Sequence, residues 1–380
     1  MTPNRQLALI RHLCGLGLPP QTLAPSLLPV LRRLIPSHSA AVFWVDERME
    51  MTDLYAERLL SPEAMARYYD KHYKNRISGF PAAFGARAAA PDPVSIRKVI
   101  DAERASDYFR EILAKLDAYQ ILYGVLRGAS GPIGQISFYR GERDAAFSQT
   151  DQAMLRGLLR YLAVGLQPQR SCSHPVSLAQ VIEEWLGIIT PDGATVSAPP
   201  PWSRLVRLLA MKTVDPRRAR EQERVVAEFL RQVCSRFKKS DADGANDLVD
   251  LEYESPWGRF RVRAYRLPNS QPGRSDNIGL LIGRFEPRAL ALARGAGASR
   301  LSPQQREVAL LLAERKSNQE IARSLALTFN TASYHVKQVF ARLQVHSREE
   351  VEGVLLRLAR EAAGDPRSDM EPHAAPAGSP

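Results

Sequence analysis

The polar side chains best placed to do chemistry lie together near the C-terminus, on one face of a predicted helix. From Ala332 to Leu343 the apolar residues fall at helical spacing and form a single stripe. The opposite face displays hydroxyl, phenol, amide, ammonium and guanidinium groups, those of Thr331, Ser333, Tyr334, Lys337, Gln338 and Arg342. Such groups donate and accept hydrogen bonds. The pattern predicts a binding face rather than a catalytic one.

Catalysis and metal binding are not indicated anywhere in the sequence. No Ser/His/Asp, Cys/His or paired-carboxylate arrangement occurs at motif spacing, and the phosphate-binding pattern GxxxxGK[ST] is missing. Cys14, Cys172 and Cys234 lie far apart, and the histidines show no metal-ligand spacing. We therefore expect a protein that is not an enzyme and that has no metal site and no cofactor.

Four short helices between residues 301 and 360 must position the polar face. Helix-start signals precede each of them: Ser302 with Pro303, Ser317 with Glu320, Thr328, and Ser347 with Glu350. A short helix, a tight turn and a polar-faced helix are the arrangement that places a recognition helix in the major groove of DNA. The spacing alone also fits a small helical bundle, so individual residues must decide.

Those residues are Leu301-Ser302-Pro303, Arg306-Glu307-Val308, Ser317-Asn318, Glu320-Ile321-Ala322, Leu325, Thr331, His335-Val336, Leu343, Val345 and Ser347-Arg348. Together they resemble the LuxR-type helix-turn-helix of bacterial transcription regulators. Three positions depart from the family, because Arg315, Ala326 and Gln344 stand where it usually has glycine. They fall at helix ends, where a left-handed conformation costs glycine least.

The resemblance implies a role for each part of this segment. It implies base contacts from Ser333, Tyr334 and Lys337, and phosphate contacts from Ser317, Asn318, Thr331, Gln338 and Arg342. It also implies a homodimer on double-stranded DNA, with Val351 and Val354 pointing outward from the fourth helix as the dimer contact.

The net charge of +11 does not come from this segment. Residues 301–380 hold as many Asp and Glu as Lys and Arg, so the surplus lies upstream. A basic protein associates loosely with any polyanion, but that is weak support for specific DNA binding.

Residues 1–168 are predicted to form an antiparallel-sheet domain. Strands are expected at 40–45, 121–126 and 133–139, and Ser148 with Asp151 begins a helix with a leucine stripe. This ending resembles the close of a GAF domain, which implies a sensor fold with a sheet-lined pocket. The tyrosines expected to line that pocket are Tyr68, Tyr69, Tyr73 and Tyr108.

Residues 177–290 are predicted to form a second domain. A helix is expected from Leu178 to Trp185, a hairpin turn at Pro191-Asp192-Gly193, an Arg-rich helical stretch at 202–239, and three strands at 248–253, 258–266 and 278–285. A hairpin, helices and an antiparallel meander resemble a PAS domain.

The sequence thus predicts an α+β multidomain protein with GAF-like and PAS-like sensor domains and an all-α four-helix LuxR-type domain at residues 300–362. The small residues of 294–300 are expected to form a flexible linker, and 363–380 a disordered tail. No apolar run approaches the ~20 residues that span a bilayer, so we expect a cytoplasmic protein without membrane contact.

The predicted function is sequence-specific transcription regulation. The expected partners are DNA, RNA polymerase and an unidentified small-molecule or protein signal. Two alternatives stay open: a receptor for acyl-homoserine lactones, and a non-catalytic protein–protein signalling module.

Overall fold

The computed structural model describes residues 3–73, 80–168, 178–215, 218–242, 248–267 and 276–363, and these have an α+β architecture. Two five-stranded antiparallel sheets precede a helical C-terminal region, which confirms the predicted fold class. The described residues form an N-terminal unit (3–168 and 185–285) and a C-terminal unit (178–184 and 286–363). The predicted tail lies outside the described residues from residue 364 onward.

The first sheet has the strand order β2-β1-β5-β4-β3. Strand β1, an interior strand of the sheet, is buried along its whole length and pairs with both β2 and β5. Two π-helical segments, Tyr68–Tyr73 and Phe109–Leu113, lie between the strands in the chain. The elements are α1 (Pro3–Gly15), α2 (Pro20–Leu34), β1 (Ser39–Val45), β2 (Met51–Ala56), α3 (Pro62–Arg67), α4 (Phe80–Ala89), β3 (Val94–Lys98), α5 (Asp101–Arg104), β4 (Gln120–Gly128), β5 (Gly131–Arg140) and α6 (Gln149–Gly165).

Helix α6 begins and packs as its sequence predicts. The backbone N–H of Ser148 donates to Asp151 Oδ2 at 2.8 Å, and the Asp151 N–H donates back to Ser148 Oγ at 3.1 Å. The leucine stripe is buried against β4, where Gly124 allows close approach: a Cβ there would lie 2.7 Å from Leu159 and 3.2 Å from Leu155. The sheet and this helix therefore share one core.

The second sheet has the order β7-β6-β10-β9-β8, which repeats the connectivity of the first. A hairpin is followed by two helices and a three-stranded meander whose last strand returns beside the first. The elements are β6 (Leu178–Ile189), β7 (Thr195–Ser197), α7 (Pro200–Ala210), α8 (Ala219–Ala242), β8 (Leu248–Ser255), β9 (Gly258–Leu267) and β10 (Asn277–Pro287).

The helix predicted from Leu178 to Trp185 is wrong, because these residues form the first part of strand β6. Their apolar spacing fits a helix, but the run is rich in β-branched residues and continues to Ile189. Pairing of β6 with β10 decides in favour of the strand. The predicted hairpin turn is present: the Thr190 N–H donates to Ala194 O at 2.8 Å, and Gly193 has a φ of 90°.

The tip of the β8–β9 hairpin packs against the first sheet inside the N-terminal unit. Trp257 is fully buried, with its ring 6.5 Å from the ring of Trp44 and 5.9 Å from that of Tyr55. Beside it, Thr22 Oγ1 donates to Pro256 O at 2.9 Å. Two aromatic contacts to the first sheet and a hydrogen bond from α2 therefore hold the hairpin tip at this point.

Asp53 is a second junction within the same unit. Its Oδ1 accepts hydrogen bonds from the Val214 N–H at 2.7 Å and the Leu54 N–H at 2.9 Å, and its Oδ2 accepts from Gln21 Nε2 at 3.3 Å. Burial disfavours the carboxylate more than these donors favour it, and raises the pKa of Asp53 to about 6.

The stability of the N-terminal unit is expected to fall as pH rises through the pKa of Asp53. Because the folded-state pKa is raised, the contribution of Asp53 is fully present below 3.8 and is lost as pH rises through about 6. The shift corresponds to about 3 kcal/mol. Chemical denaturation followed by circular dichroism at pH 4 and pH 7 measures the change.

Asp53→Asn is the matched control, since its amide oxygen still accepts from the Val214 and Leu54 N–H groups. The difference in unfolding free energy between the two proteins should change by about 2 kcal/mol between these pH values, since part of the effect is already lost at pH 4. Parallel stability curves would contradict the raised pKa.

The C-terminal unit contains α9 (Arg288–Ala298), α10 (Pro303–Ala313), α11 (Asn318–Ser324), α12 (Phe329–Leu343) and α13 (Arg348–Ala363). The flexible linker predicted for 294–300 is wrong in its first part, because residues up to Ala298 belong to α9. Leu292 and Ala296 of this helix enter the same hydrophobic core as the four predicted helices. Small residues suggested a linker, but here they allow close helix packing.

The contact between α9 and α13 is close enough to require glycine. A Cβ on Gly295 would lie 1.9 Å from the Leu355 carbonyl oxygen. Arg288 Nε donates to Glu352 Oε1 at 2.6 Å across the same pair of helices, and this hydrogen bond lowers the pKa of Glu352. Arg288 Nη2 also donates to Ala313 O at 2.8 Å, which joins α10 to the pair.

Candidate nucleic-acid interface

Helices α10 to α13 begin at the predicted residues. Backbone N–H groups donate to the side-chain oxygens of their caps: Gln305 to Ser302 at 3.3 Å, Glu320 to Ser317 at 3.2 Å, Thr331 to Thr328 at 3.1 Å and Glu350 to Ser347 at 3.4 Å. Local sequence therefore fixes where each helix of the interface begins.

The three positions without the family's glycine adopt the left-handed conformation. The φ angles are 64° at Arg315, 52° at Ala326 and 55° at Gln344. Each is followed by a hydrogen bond that closes the helix end: Lys316 N to Leu311 O at 3.0 Å, Leu327 N to Ala322 O at 2.8 Å and Val345 N to Phe340 O at 3.0 Å. The turns keep their geometry at the cost of backbone strain.

Helix α12 has one buried face and one exposed polar face. Ala332, Val336 and Val339 are buried in the core. On the other side Tyr334 is 58% exposed and Lys337 is exposed. Within the described residues the Lys337 ammonium has no hydrogen-bond or ion-pair partner. The predicted pair of Tyr334 and Lys337 is thus accessible to a ligand as large as DNA.

Ser333 and Asn318, expected to contact bases and phosphate respectively, contact each other. Asn318 Nδ2 donates to Ser333 Oγ at 3.0 Å, and the Arg348 guanidinium donates to Asn318 Oδ1. Arg348 also donates to Lys316 O. This network joins the starts of α11 and α13 to α12. Arg348 was not predicted to have a role, although Ser347-Arg348 is part of the family pattern.

The other predicted phosphate contacts differ in how they are held. Ser317 Oγ donates to Glu320 Oε2 at 2.8 Å. The pKa of Glu320 is lowered mainly by the hydrogen bond from the Ser317 backbone N–H and secondly by this one from the Ser317 hydroxyl. Thr331 Oγ1 lies 2.8 Å from Thr328 Oγ1, and Gln338 is half-buried. Arg342 Nη1 donates to Gln305 Oε1 at 2.9 Å, so this side chain holds α12 against α10.

An exposed aromatic residue at the start of α12 was missed. Phe329 is 55% exposed, directly after the cap of the helix. A large apolar side chain at the rim of a polar face contacts thymine methyl groups or sugar carbons in DNA complexes. Its only signal in the sequence is that it falls outside the apolar stripe.

The outward orientation expected of Val351 is wrong. Val351 is fully buried in the core of the C-terminal unit, and Val354 is half-buried against the same core. Helix α9, which the sequence did not predict, packs along α13 and adds Leu292 and Ala296 to that core. Helix α13, the fourth predicted helix, therefore exposes fewer apolar residues than it would in a domain made of α10 to α13 alone.

A cavity of about 190 Å³ lies in the first sheet's domain, and two of the four predicted tyrosines line it. These are Tyr68 and Tyr108. Tyr73 instead packs in a neighbouring cluster, with its hydroxyl accepting the Met51 N–H at 2.8 Å, and Tyr69 packs on it with rings 5.3 Å apart. The expectation that Tyr69 and Tyr73 line the cavity is therefore wrong.

Two further features are missing from the described residues. No group of three or more His, Cys, Asp or Glu side chains there could hold a metal ion. No helix in this part of the chain is long and apolar enough to cross a membrane.

The fold and the polar face define a helix-turn-helix DNA-binding module. Residues 299–353 match the family described as "Bacterial regulatory proteins, luxR family". The chain therefore carries a LuxR-family helix-turn-helix domain, the DNA-binding domain of bacterial transcription regulators. No curated protein matches the chain.

Three solved structures are similar at low identity. The Vibrio cholerae VqmA dimer, described with reference to LuxR-type receptors, is 14% identical over 48% of this chain and 88% of its own, with a TM-score of 0.17. The sensor region of a sensor histidine kinase is 15% identical over 66% and 84%, with a TM-score of 0.17. The E. coli DhaR(N)-DhaL complex is 10% identical over 74% and 88%, with a TM-score of 0.21. At these TM-scores the likeness carries no argument.

Proposed function

We propose that the protein is a sequence-specific DNA-binding transcription regulator whose helix α12 reads the major groove. The observation that carries this proposal is the exposed pair Tyr334 and Lys337 on a helix anchored by its opposite face. An unpaired lysine on such a helix can donate to guanine O6 and N7. Ser333 completes the base-reading set, held in place by Asn318.

Phosphate contacts from Ser317, Asn318, Thr331, Gln338 and Arg342 belong to the same proposal. Their role is to fix the register of α12 in the groove, since contacts to phosphate position a protein without reading sequence. Residues 301–380 carry no net charge. This supports a modest contribution of electrostatic attraction to the free energy of DNA binding and a larger contribution of base contacts.

The proposal extends to a homodimer on DNA, with Val354 at the contact, and to regulation of transcription by RNA polymerase in the bacterial cytoplasm. The N-terminal unit is proposed to receive a signal, which the cavity lined by Tyr68 and Tyr108 supports. No catalytic step is part of this function.

Lys337→Ala is expected to weaken binding to the selected DNA sequence by about 1–3 kcal/mol. The reason is the loss of a base contact that no neighbouring side chain replaces. Selection from a pool of random duplexes first identifies the binding sequence, and gel-shift titration then measures the affinities of the full chain and the variant.

Arg357→Ala is the matched control, because it also removes one positive charge from an exposed residue but lies on α13. It should leave the affinity within a factor of two or so, well inside one tenfold step of about 1.4 kcal/mol. Equal affinity of Lys337→Ala and the unchanged protein would sink the base-contact assignment. Failure to enrich any sequence would overturn the regulator function itself.

A further inference from the structure

The cavity in the first sheet's domain has a mostly apolar lining of a size suited to one small ligand. Leu60, Met65 and Ile112 line it together with the rings of Tyr68 and Tyr108. Its volume of about 190 Å³ is slightly larger than that of an apolar cavity of roughly 150 Å³ that binds benzene. The space therefore suits a ligand whose body is about one ring in size.

Arg87 of α4 brings a positive charge to this lining. Its guanidinium carbon lies 5.3 Å from the centre of the Tyr123 ring and 5.9 Å from that of Phe84. Its Nε donates to Gln135 Oε1 at 2.9 Å, and Gln135 Nε2 donates in turn to Ser137 Oγ at 2.9 Å. Strand β5 thus orients the guanidinium by one edge and leaves its two terminal nitrogens for another acceptor.

No carboxylate in the described residues neutralises this charge. The two other arginines at the cavity have acidic neighbours: Arg97 lies 3.1 Å from Glu103, and Arg58 lies 3.9 Å from Asp117. Arg87 is therefore the one cavity arginine that lacks an acidic partner among the residues described.

An arginine in this position is costly without a function. Arg87 is half-buried, and a partly desolvated cation that lacks a counterion loses hydration energy that aromatic faces only partly restore. In agreement, burial lowers the pKa of Arg87. A hydrophobic residue of similar size would fill the same space at lower cost. The missing negative charge is best supplied by a ligand.

We propose that this cavity binds a small carboxylate with a ring-sized apolar body, and that Arg87 binds the carboxylate through its two terminal nitrogens. The guanidinium fork matches a carboxylate in two parallel hydrogen bonds. A single uncompensated arginine balances one negative charge, which favours a carboxylate over a phosphate dianion. A neutral ligand such as an acyl-homoserine lactone would leave the charge of Arg87 unpaired.

The carboxylate would be the signal that the N-terminal unit receives in the proposed function. Only this role as a signal rests on the proposed function. The ligand-binding step is independent of DNA, so the two can be tested separately.

Benzoate and phenylacetate, each paired with its neutral amide, are the probes. Thermal unfolding of the full chain and isothermal titration calorimetry should show stabilisation and binding by at least one of the acids, with at least tenfold weaker binding of the matching amide. Arg87→Gln should abolish the difference between acid and amide. Arg156→Gln should preserve it, because Arg156 is an exposed arginine paired with Asp92 at 2.6 Å, away from the cavity.

The unliganded Arg87→Gln protein supplies a second readout. Since the substitution removes an uncompensated charge, its thermal midpoint should equal or exceed that of the unchanged protein. A lower midpoint together with unchanged acid binding would show that Arg87 has a structural role and would overturn the proposal.

Two further outcomes separate this inference from the proposed function. If neither acid binds, or if acids and amides bind equally, the carboxylate site is wrong even where DNA selection succeeds. If the acids bind as expected while no DNA sequence is enriched, the ligand site stands and the regulator function fails.

Discussion

Replacing Trp257 with alanine is expected to lower the free energy of unfolding of the N-terminal unit by about 3–5 kcal/mol. Trp257 is fully buried at the tip of the β8–β9 hairpin, between Trp44 and Tyr55. Its removal leaves a large cavity where the two sheets meet, and the backbone around Pro256 is held by Thr22 and cannot collapse freely. Urea denaturation monitored by far-ultraviolet circular dichroism measures the loss.

Trp257→Phe is the control that separates packing from hydrogen bonding. The Trp257 indole N–H has no hydrogen-bond partner within the described residues, so phenylalanine removes an unsatisfied donor and keeps most of the aromatic contact. Its cost should stay below about 1.5 kcal/mol. A phenylalanine variant as unstable as the alanine variant would contradict aromatic packing as the interaction that holds the hairpin tip in place.

Gly295→Ala is expected to lower the free energy of unfolding of the C-terminal unit by about 1–3 kcal/mol. The added Cβ would lie 1.9 Å from the Leu355 carbonyl oxygen and 2.7 Å from its carbon, which are backbone atoms that cannot rotate away. Helices α9 and α13 must separate, and Leu292 and Ala296 then lose packing in the core. Thermal and urea unfolding of the full chain, followed by far-ultraviolet circular dichroism, measure the loss.

Gly353→Ala on α13 is the matched control for the same substitution. Nothing lies within 4 Å of a Cβ at this exposed position, so alanine should stabilise the helix by about 1 kcal/mol through its higher helix propensity. Opposite signs at the two glycines are the expected result. A gain in stability at both positions would contradict the close contact between α9 and α13.

The helix-turn-helix could be predicted almost completely because its information is local. Each helix starts at a capping residue a few positions from its apolar stripe, and the polar face of α12 follows from the same spacing. Even the left-handed turns at Arg315, Ala326 and Gln344 could be expected, because the family usually has glycine at these helix ends. The exposure of Tyr334 and Lys337 needed no knowledge of distant residues.

Features set by distant contacts could not be predicted. The segment from Leu178 is a strand because β10, nearly a hundred residues away in the chain, pairs with it. Helix α9 contains glycines that favour a linker locally, and only the backbone of Leu355 shows why they are there. Likewise, Tyr68 lines the cavity and Tyr73 does not, although both tyrosines belong to one π-helical segment. Arg87 received no role because its neighbours in space are Gln135 and Tyr123.

The contact between Trp44 and Trp257 also means that intrinsic tryptophan fluorescence can report on the N-terminal unit. All four tryptophans, Trp44, Trp185, Trp202 and Trp257, belong to the N-terminal unit, and residues 286–380 contain none. Selective excitation of indole therefore observes the unit proposed to receive a signal, while a dye on DNA observes the unit proposed to read the DNA sequence. The short separation of Trp44 and Trp257 makes their emission sensitive to small shifts between the sheets. Ligand arrival and DNA release could then be timed in one mixing experiment without labelling the protein.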